Sequence, residues 1–326
     1  MLTFSPLESN KTHQQDLISI IMNYTTKYNK DNISRTNAYF TFFKMYPEIK
    51  WAFLASMVSR NAGWNMCDLE GAILPKTLPP HFRKELFLTY ETTNFLIFKD
   101  AFPQLLLYHY STKTSTSLFH LNKYFSTSYF MCKEWELFWK ERNENRLMTS
   151  LIINEQNVVQ KPIIEGAFFQ KKVFQSHIFL FQDLLHFSAV LFPTVRGELY
   201  GASAHSFRKL DERIYLGKVL ANILFSSELF PHFYQFAAKT EHTGSREDYE
   251  QYFPYRKQRE TPYLRTVYPV IDLSSVEKGD WEQTQKVKSK WVRNVSKPKN
   301  INITKWYEKK QKQFRLLNSI WNLSDE

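Results

Sequence analysis

The chain has 326 residues, 43% of them hydrophobic and 17% aromatic, which is enough for a real core of one or two domains and argues against a disordered chain. Its 8 glycines and 13 prolines are too few for an architecture of many tight hairpins, and its two cysteines, Cys67 and Cys132, stand far apart with no CxxC, against a disulfide framework or a zinc–thiolate site. The net charge of +11 is uneven: residues 281–326 hold 11 Lys and Arg against 4 Asp and Glu, so the basic character sits mainly in the C-terminal segment and points there to an anionic partner.

The opening residues, MLTFSPLESNKTHQQD, lack a basic start followed by an apolar core, so no signal peptide is expected. Leu17, Ile20, Ile21 and Tyr24 stand at helical spacing and predict a helix over 16–28. NISRTNAYFTFFKMY (32–46) offers Asn32 or Ser34 as N-cap of an aromatic helix. Pro47 suits the first turn of the next helix, which runs through Trp51 to Arg60 and has Gly63 as a stop. GAILPKTLPP (71–80) reads as a loop. Helices follow at 81–92, at 94–110 with a bend at Pro103, and at 129–142, 144–159, 168–187, 208–225 and 227–239. The most apolar stretch, 177–192, is interrupted by Gln182, Asp183 and His186 and falls short of the roughly 20 residues of a bilayer span. No transmembrane segment is expected, and a soluble cytoplasmic protein is the simplest reading.

Residues 190–206 read as a short strand or an irregular connection. Beyond 252, Pro254, Pro262 and Pro269 lie in a stretch rich in Tyr and Arg and predict extended chain. A final helix over 303–321 places Trp306, Phe314, Leu317 and Trp321 on one face. The expected fold is all-α. A multi-helix globular bundle spans 1–253. A Pro- and Tyr-containing extended segment and a basic amphipathic helix, 254–326, dock on it.

Several charged residues fall on apolar faces. Arg60 shares a face with Phe53 and Met57; Glu155 with Met148, Leu151, Ile152 and Val159; Arg35 with Ala38, Tyr39 and Phe42. Asp100 and Asp183 interrupt the apolar runs FLIFKDAF and FLFQDLLHF. A buried charge needs a partner, so Arg60 and Glu155 are expected in one network. Two readings stay open. The groups fix helix packing, or they line a cleft for a small anionic substrate with Glu155 as general base. The candidate cluster is Arg35, Arg60, Asn61, Asn65, Asn154 and Glu155. In HTGSREDYE (242–250), Ser245 is placed to cap a helix starting at Arg246, with Asp248 at capping-box spacing. Asp100, Asp183, His242 and Arg246 are weaker candidates. Phosphate-loop, dinucleotide, zincin and nucleophile-elbow motifs are absent, and no two of the nine histidines stand at i, i+4. No cofactor or metal is expected.

In the tail, lysines and arginines alternate with Trp281, Trp291, Trp306, Tyr307, Phe314 and Trp321. That pattern suits nucleic acid, through phosphate contacts and base stacking, or an anionic membrane surface. It equally suits aromatics docked on the body beneath a solvated basic face.

NISRTNAY (32–39), MVSRNAGWNMCDLEG (57–71), IINEQN (152–157) and HTGSREDYE together resemble the YppC-like proteins of Bacillus-type bacteria, over residues 15–255. That family is of unknown function, so the resemblance implies no activity or ligand. Two functional readings remain: a binding or scaffolding protein whose basic tail meets a polyanion or partner protein, and an enzyme acting on a small anion in a helical cleft.

Overall fold

A computed structural model describes residues 14–61, 66–176, 189–204, 208–255 and 258–324; for Asn61, Phe314 and 317–324 it describes the backbone alone. The longer helices are α1 (Gln14–Tyr28), α2 (Asn32–Met45), α3 (Lys50–Asn61), α4 (Pro80–Thr114), α5 (Tyr129–Glu141), α6 (Glu144–Val158), α7 (Leu210–Leu224), α8 (Phe230–Lys239) and α9 (Thr304–Ser324). Among the described residues there is one sheet, an antiparallel hairpin of β1 (Ala189–Pro193) and β2 (Leu199–Ser203), with Ala189 opposite Ser203 and Pro193 opposite Leu199. The architecture is a multi-helix globular one with that hairpin added, so a strictly all-α description is too narrow.

Three local expectations change. The N-cap of α2 is Asp31, whose side chain accepts from Ser34 N at 2.7 Å. Asn32, one residue inside, instead sends its amide to Ser59 O at 3.0 Å and ties α2 to α3. Pro47 lies in the turn before α3, not inside it. Finally, α4 runs unbroken through Pro103 for 35 residues where two helices were predicted. Proline removes one helical hydrogen bond. Beside that gap the Gln104 side chain donates to Asp100 O at 2.9 Å, and Phe98 and Phe102, stacked at 4.4 Å, are fully buried on the same helix. Burial on this scale stabilises by roughly 1.5–3 kcal/mol per side chain, which outweighs a single lost bond.

The helix α4 is the spine of the core, against which α1, α2 and α6 pack. Phe42, Phe53, Trp135, Ile152, Phe233 and Phe236 are buried around it. Chain 258–324 adds buried side chains to the interior. Trp281 and Trp291 are 4% and 2% exposed. Their indole N–H groups donate to Asn154 Oδ1 at 3.0 Å and Asp211 Oδ1 at 2.7 Å. Gly201 N donates to Ile301 O at 3.0 Å and Ile303 N to Leu199 O at 2.9 Å, so residues 301–303 lie along the edge of β2 and lead into α9. No helix among the described residues is long and apolar enough to cross a membrane.

Candidate functional site

The helices α2, α3, α4, α6 and α7 enclose a cavity of about 230 Å³. Its wall is mainly apolar, with Leu54, Ala55, Val58, Leu86, Val173 and Leu220 among its residues. Two π-helical turns after α6, Gln160–Ile164 and Gln170–Phe174, carry the chain around one side and deliver Val173 and Phe174 to the wall. Such turns recur where a helix is reshaped around a site. Gly217 holds α7 close to α6, since a Cβ there would stand 2.7 Å from Ile152 Cγ2. Gly244 has φ +82°, and a Cβ would meet Leu264 Cβ at 2.7 Å, so this corner of the wall admits only glycine without strain.

Among the described residues, four basic or acidic side chains line the cavity: Arg35, Arg60, Arg213 and Glu155. The first three are engaged elsewhere. Arg35 on α2 donates through Nη2 to Glu91 Oε1 at 2.6 Å and through Nη1 to Asn29 Oδ1 at 3.2 Å, a buried ion pair between α2 and α4. Arg60 at the end of α3 donates through Nη2 to the carbonyls of Thr240 and Glu241 at 2.8 and 2.7 Å and lies 3.8 Å from Asp248 Oδ2. Its guanidinium also covers the Phe236 ring at 4.8 Å. Burial pulls its pKa down to about 10. Arg213 on α7 donates to Gln156 Oε1 at 2.9 Å, Gln156 O at 3.1 Å and Gln160 Oε1 at 2.6 Å.

Glu155 differs. Its Oε2 accepts from Trp51 Nε1 and its Oε1 from Gln156 Nε2, both at 3.0 Å. No cation among the described residues stands at ion-pair distance from it, because the Gln156 amide separates it from Arg213. It is half-buried deep inside the molecule, so its open surface faces the cavity. Burial pushes its carboxyl up to about 7, against the smaller downward pull of the Gln156 and Trp51 hydrogen bonds. Beside it, Tyr39 packs edge-on against Trp51 at 5.4 Å, with a buried hydroxyl that has no hydrogen-bond partner among the described residues.

The expected cluster therefore divides. Arg60 and Glu155 share a cavity wall but not a hydrogen-bond network. Asn154, next to Glu155 in sequence but turned away by about 100° on the helix, belongs to a closed group. It donates to Asp100 Oδ2 at 2.6 Å and accepts from Ser128 at 2.8 Å, while Asp100 pairs with Lys278. The side chain of Asn61, and Asn65 and Asp183 entirely, lie outside the described residues.

His242 also sits in a satisfied arrangement. Asp248 accepts from Thr243 N at 2.9 Å, Thr243 Oγ1 at 2.5 Å and His242 Nδ1 at 3.2 Å. Burial raises Asp248, but the hydrogen bonds from His242 and Thr243 and the charge of Arg60 outweigh it and hold the carboxyl below its ordinary range. Burial likewise holds His242 low, hence neutral. The carboxylate only accepts, so Nδ1 carries the proton and Nε2 accepts from Asn32 Nδ2 at 3.4 Å. Arg246 is distant from this chemistry: it pairs with Asp68 at 3.0 Å and Glu260 at 3.3 Å and bonds Gln311 of α9. The predicted capping box is displaced. The helical turn is Glu247–Glu250, and Ser245 Oγ accepts from Glu247 N at 3.2 Å while donating to Thr261 O at 2.9 Å. Asp248 reaches back to Thr243, not to Ser245. Among the described residues no group of three or more His, Cys, Asp or Glu is arranged to hold a metal ion.

No solved structure matches this chain. Over 305 residues, 93% of this chain and 95% of the relative, it is 48% identical to the uncharacterized protein YppC of Bacillus subtilis (strain 168). The family described as "Protein of unknown function (DUF2515)" matches residues 27–308, and the chain belongs to that family.

Proposed function

We propose that this is an intracellular small-molecule-binding protein, whose ligand places an apolar body in the cavity and a polar head against Glu155. The observation that carries the reading is a largely apolar cavity of about 230 Å³ with the Glu155 carboxyl open to it. An apolar cavity of ~150 Å³ accepts benzene, so this one has room for roughly nine non-hydrogen atoms. The presence of only two cysteines, far apart in sequence, suits an intracellular setting. The occupied guanidiniums of Arg35 and Arg60 speak less for a small anionic substrate than their sequence positions do. A carboxyl titrating near 7 also suits proton abstraction, which makes turnover of the bound molecule the catalytic form of the same reading.

The test is calorimetric titration of 1-octanol into wild-type protein and into Val58→Trp, which fills the cavity. Wild type binds, and the variant loses binding while keeping its far-UV spectrum. Equal binding by both places the site elsewhere and refutes the reading.

A polyanion contact through 281–326 is a second, separable reading, supported by the exposed Lys297, Lys299, Lys305, Lys309 and Lys312. Base stacking by Trp281 and Trp291 has no support, because both are buried with their N–H groups bonded.

A further inference from the structure

We propose that the head group this cavity selects is a protonated amine, held as an ion pair with Glu155: the ligand class is a small apolar monoamine. The inference rests on the reading of the cavity as a binding site and adds the sign of the ligand. Among the described residues three guanidiniums and one carboxyl line the wall, which at first suggests an anion. The hydrogen bonds reverse that. Arg35 is matched by Glu91 at 2.6 Å, Arg60 by two carbonyls and Asp248, and Arg213 by three oxygens of Gln156 and Gln160. Glu155 alone lacks a counter-ion among the described residues, and its two N–H donors leave a carboxylate lone pair for the cavity. A desolvated carboxylate beside an apolar wall attracts a cation far more strongly than one in water does. Tyr39 lines the same wall.

The charged groups that face Glu155 come from the elements that line the cavity or pack on α6: Arg35 from α2, Arg60 from α3, Glu91 and Asp100 from α4, Arg213 from α7 and the exposed Lys161 from the π-helical turn after α6. On the remaining neighbours, Glu134 of α5 is bound to Arg146 and Ser150, and Lys290 is bound to Asp211. None of these supplies Glu155 with an ion pair.

The proton balance follows. The amine arrives as an ammonium; where Glu155 is protonated, it releases that proton to solvent and the ion pair forms. Below pH 7, one proton leaves per amine bound, so affinity falls about tenfold for each pH unit. Above pH 7 it is level until the amine itself deprotonates, near the lysine range of about 10.4.

The experiment titrates octylamine, 1-octanol and octanoate into the full-length protein from pH 5.5 to 8.5, in two buffers of different ionisation enthalpy, and repeats it with Glu155→Gln. Octylamine binds at least about tenfold tighter than 1-octanol at pH 8. It weakens about tenfold between pH 6.5 and 5.5 with release of one proton, and it loses its advantage in Glu155→Gln. If 1-octanol binds but octylamine binds no tighter, or if octanoate binds best, the amine assignment is overturned and the cavity reading stands. If none of the three binds, both fall. Should Glu155→Gln fail to fold, proton release in the wild-type titration decides, since amine binding without it overturns the assignment.

Discussion

Replacing Glu155 with glutamine keeps its volume and removes its charge, and the consequence for stability depends on pH in a calculable way. In the folded chain burial lifts the carboxyl from 4.5 to about 7. A folded-state pKa above the unfolded one means that the native protein holds the proton longer. Stability linked to this group is therefore complete below the unfolded pKa and is lost as pH rises through the folded one, by roughly 3 kcal/mol in all. Glutamine has no such loss. It does give up one of the two acceptors that serve Trp51 Nε1 and Gln156 Nε2, a penalty of about 1 kcal/mol. Glu155→Gln is thus expected to be less stable than wild type by about 1 kcal/mol near pH 4 and more stable by about 2 kcal/mol at pH 8. Urea denaturation of both proteins at the two pH values measures this, and every other titrating group cancels in the difference. A gap of the same sign and size at both pH values would show that Glu155 is not the desolvated carboxyl described here.

Other elements of the account are open to equally direct measurement. Arg35→Met strands Glu91 without its buried partner and should lower stability by about 3–5 kcal/mol, much of it restored in the double variant with Glu91→Leu; no recovery would deny that the two form a pair. Gly244→Ala forces a Cβ to 2.7 Å from Leu264 at φ +82° and should cost more than ~1 kcal/mol in a thermal melt, whereas a neutral effect would mean that the corner is loose. Binding to duplex DNA, if it runs through the exposed tail lysines, should weaken steeply between 50 and 200 mM salt and vanish when Lys297, Lys299, Lys305, Lys309 and Lys312 become Gln; salt-insensitive binding would contradict a polyanion surface.

Periodicity made the helices and the burial of Arg35, Arg60 and Asp100 legible, because a charge on an apolar face must follow its neighbours inside. Their partners were not legible. Glu91 lies 56 residues from Arg35, Trp51 lies 104 from Glu155, and Lys278 lies 178 from Asp100, so no local pattern links them. The same gap misled the expectation of a shared Arg60–Glu155 network, since common helical phase fixes direction but not neighbour. Ser245 went astray for a related reason. Local chemistry favoured a capping box, while the bonds with Thr261 and Thr243 decided otherwise. Gln156, whose amide stands between Glu155 and Arg213, carries no sequence signal of that role.

The central claim is that the cavity holds a small molecule by its head at Glu155. The most direct measurement is a crystal structure of the protein soaked with an aliphatic amine carrying bromine at its far end, located by anomalous scattering. The amine nitrogen is expected within about 2.7–3.2 Å of a Glu155 carboxylate oxygen, and the bromine against the wall near Val173 and Leu220. Bromine found only on the outer surface, or an amine lodged in the cavity with its nitrogen turned away from Glu155, would contradict it.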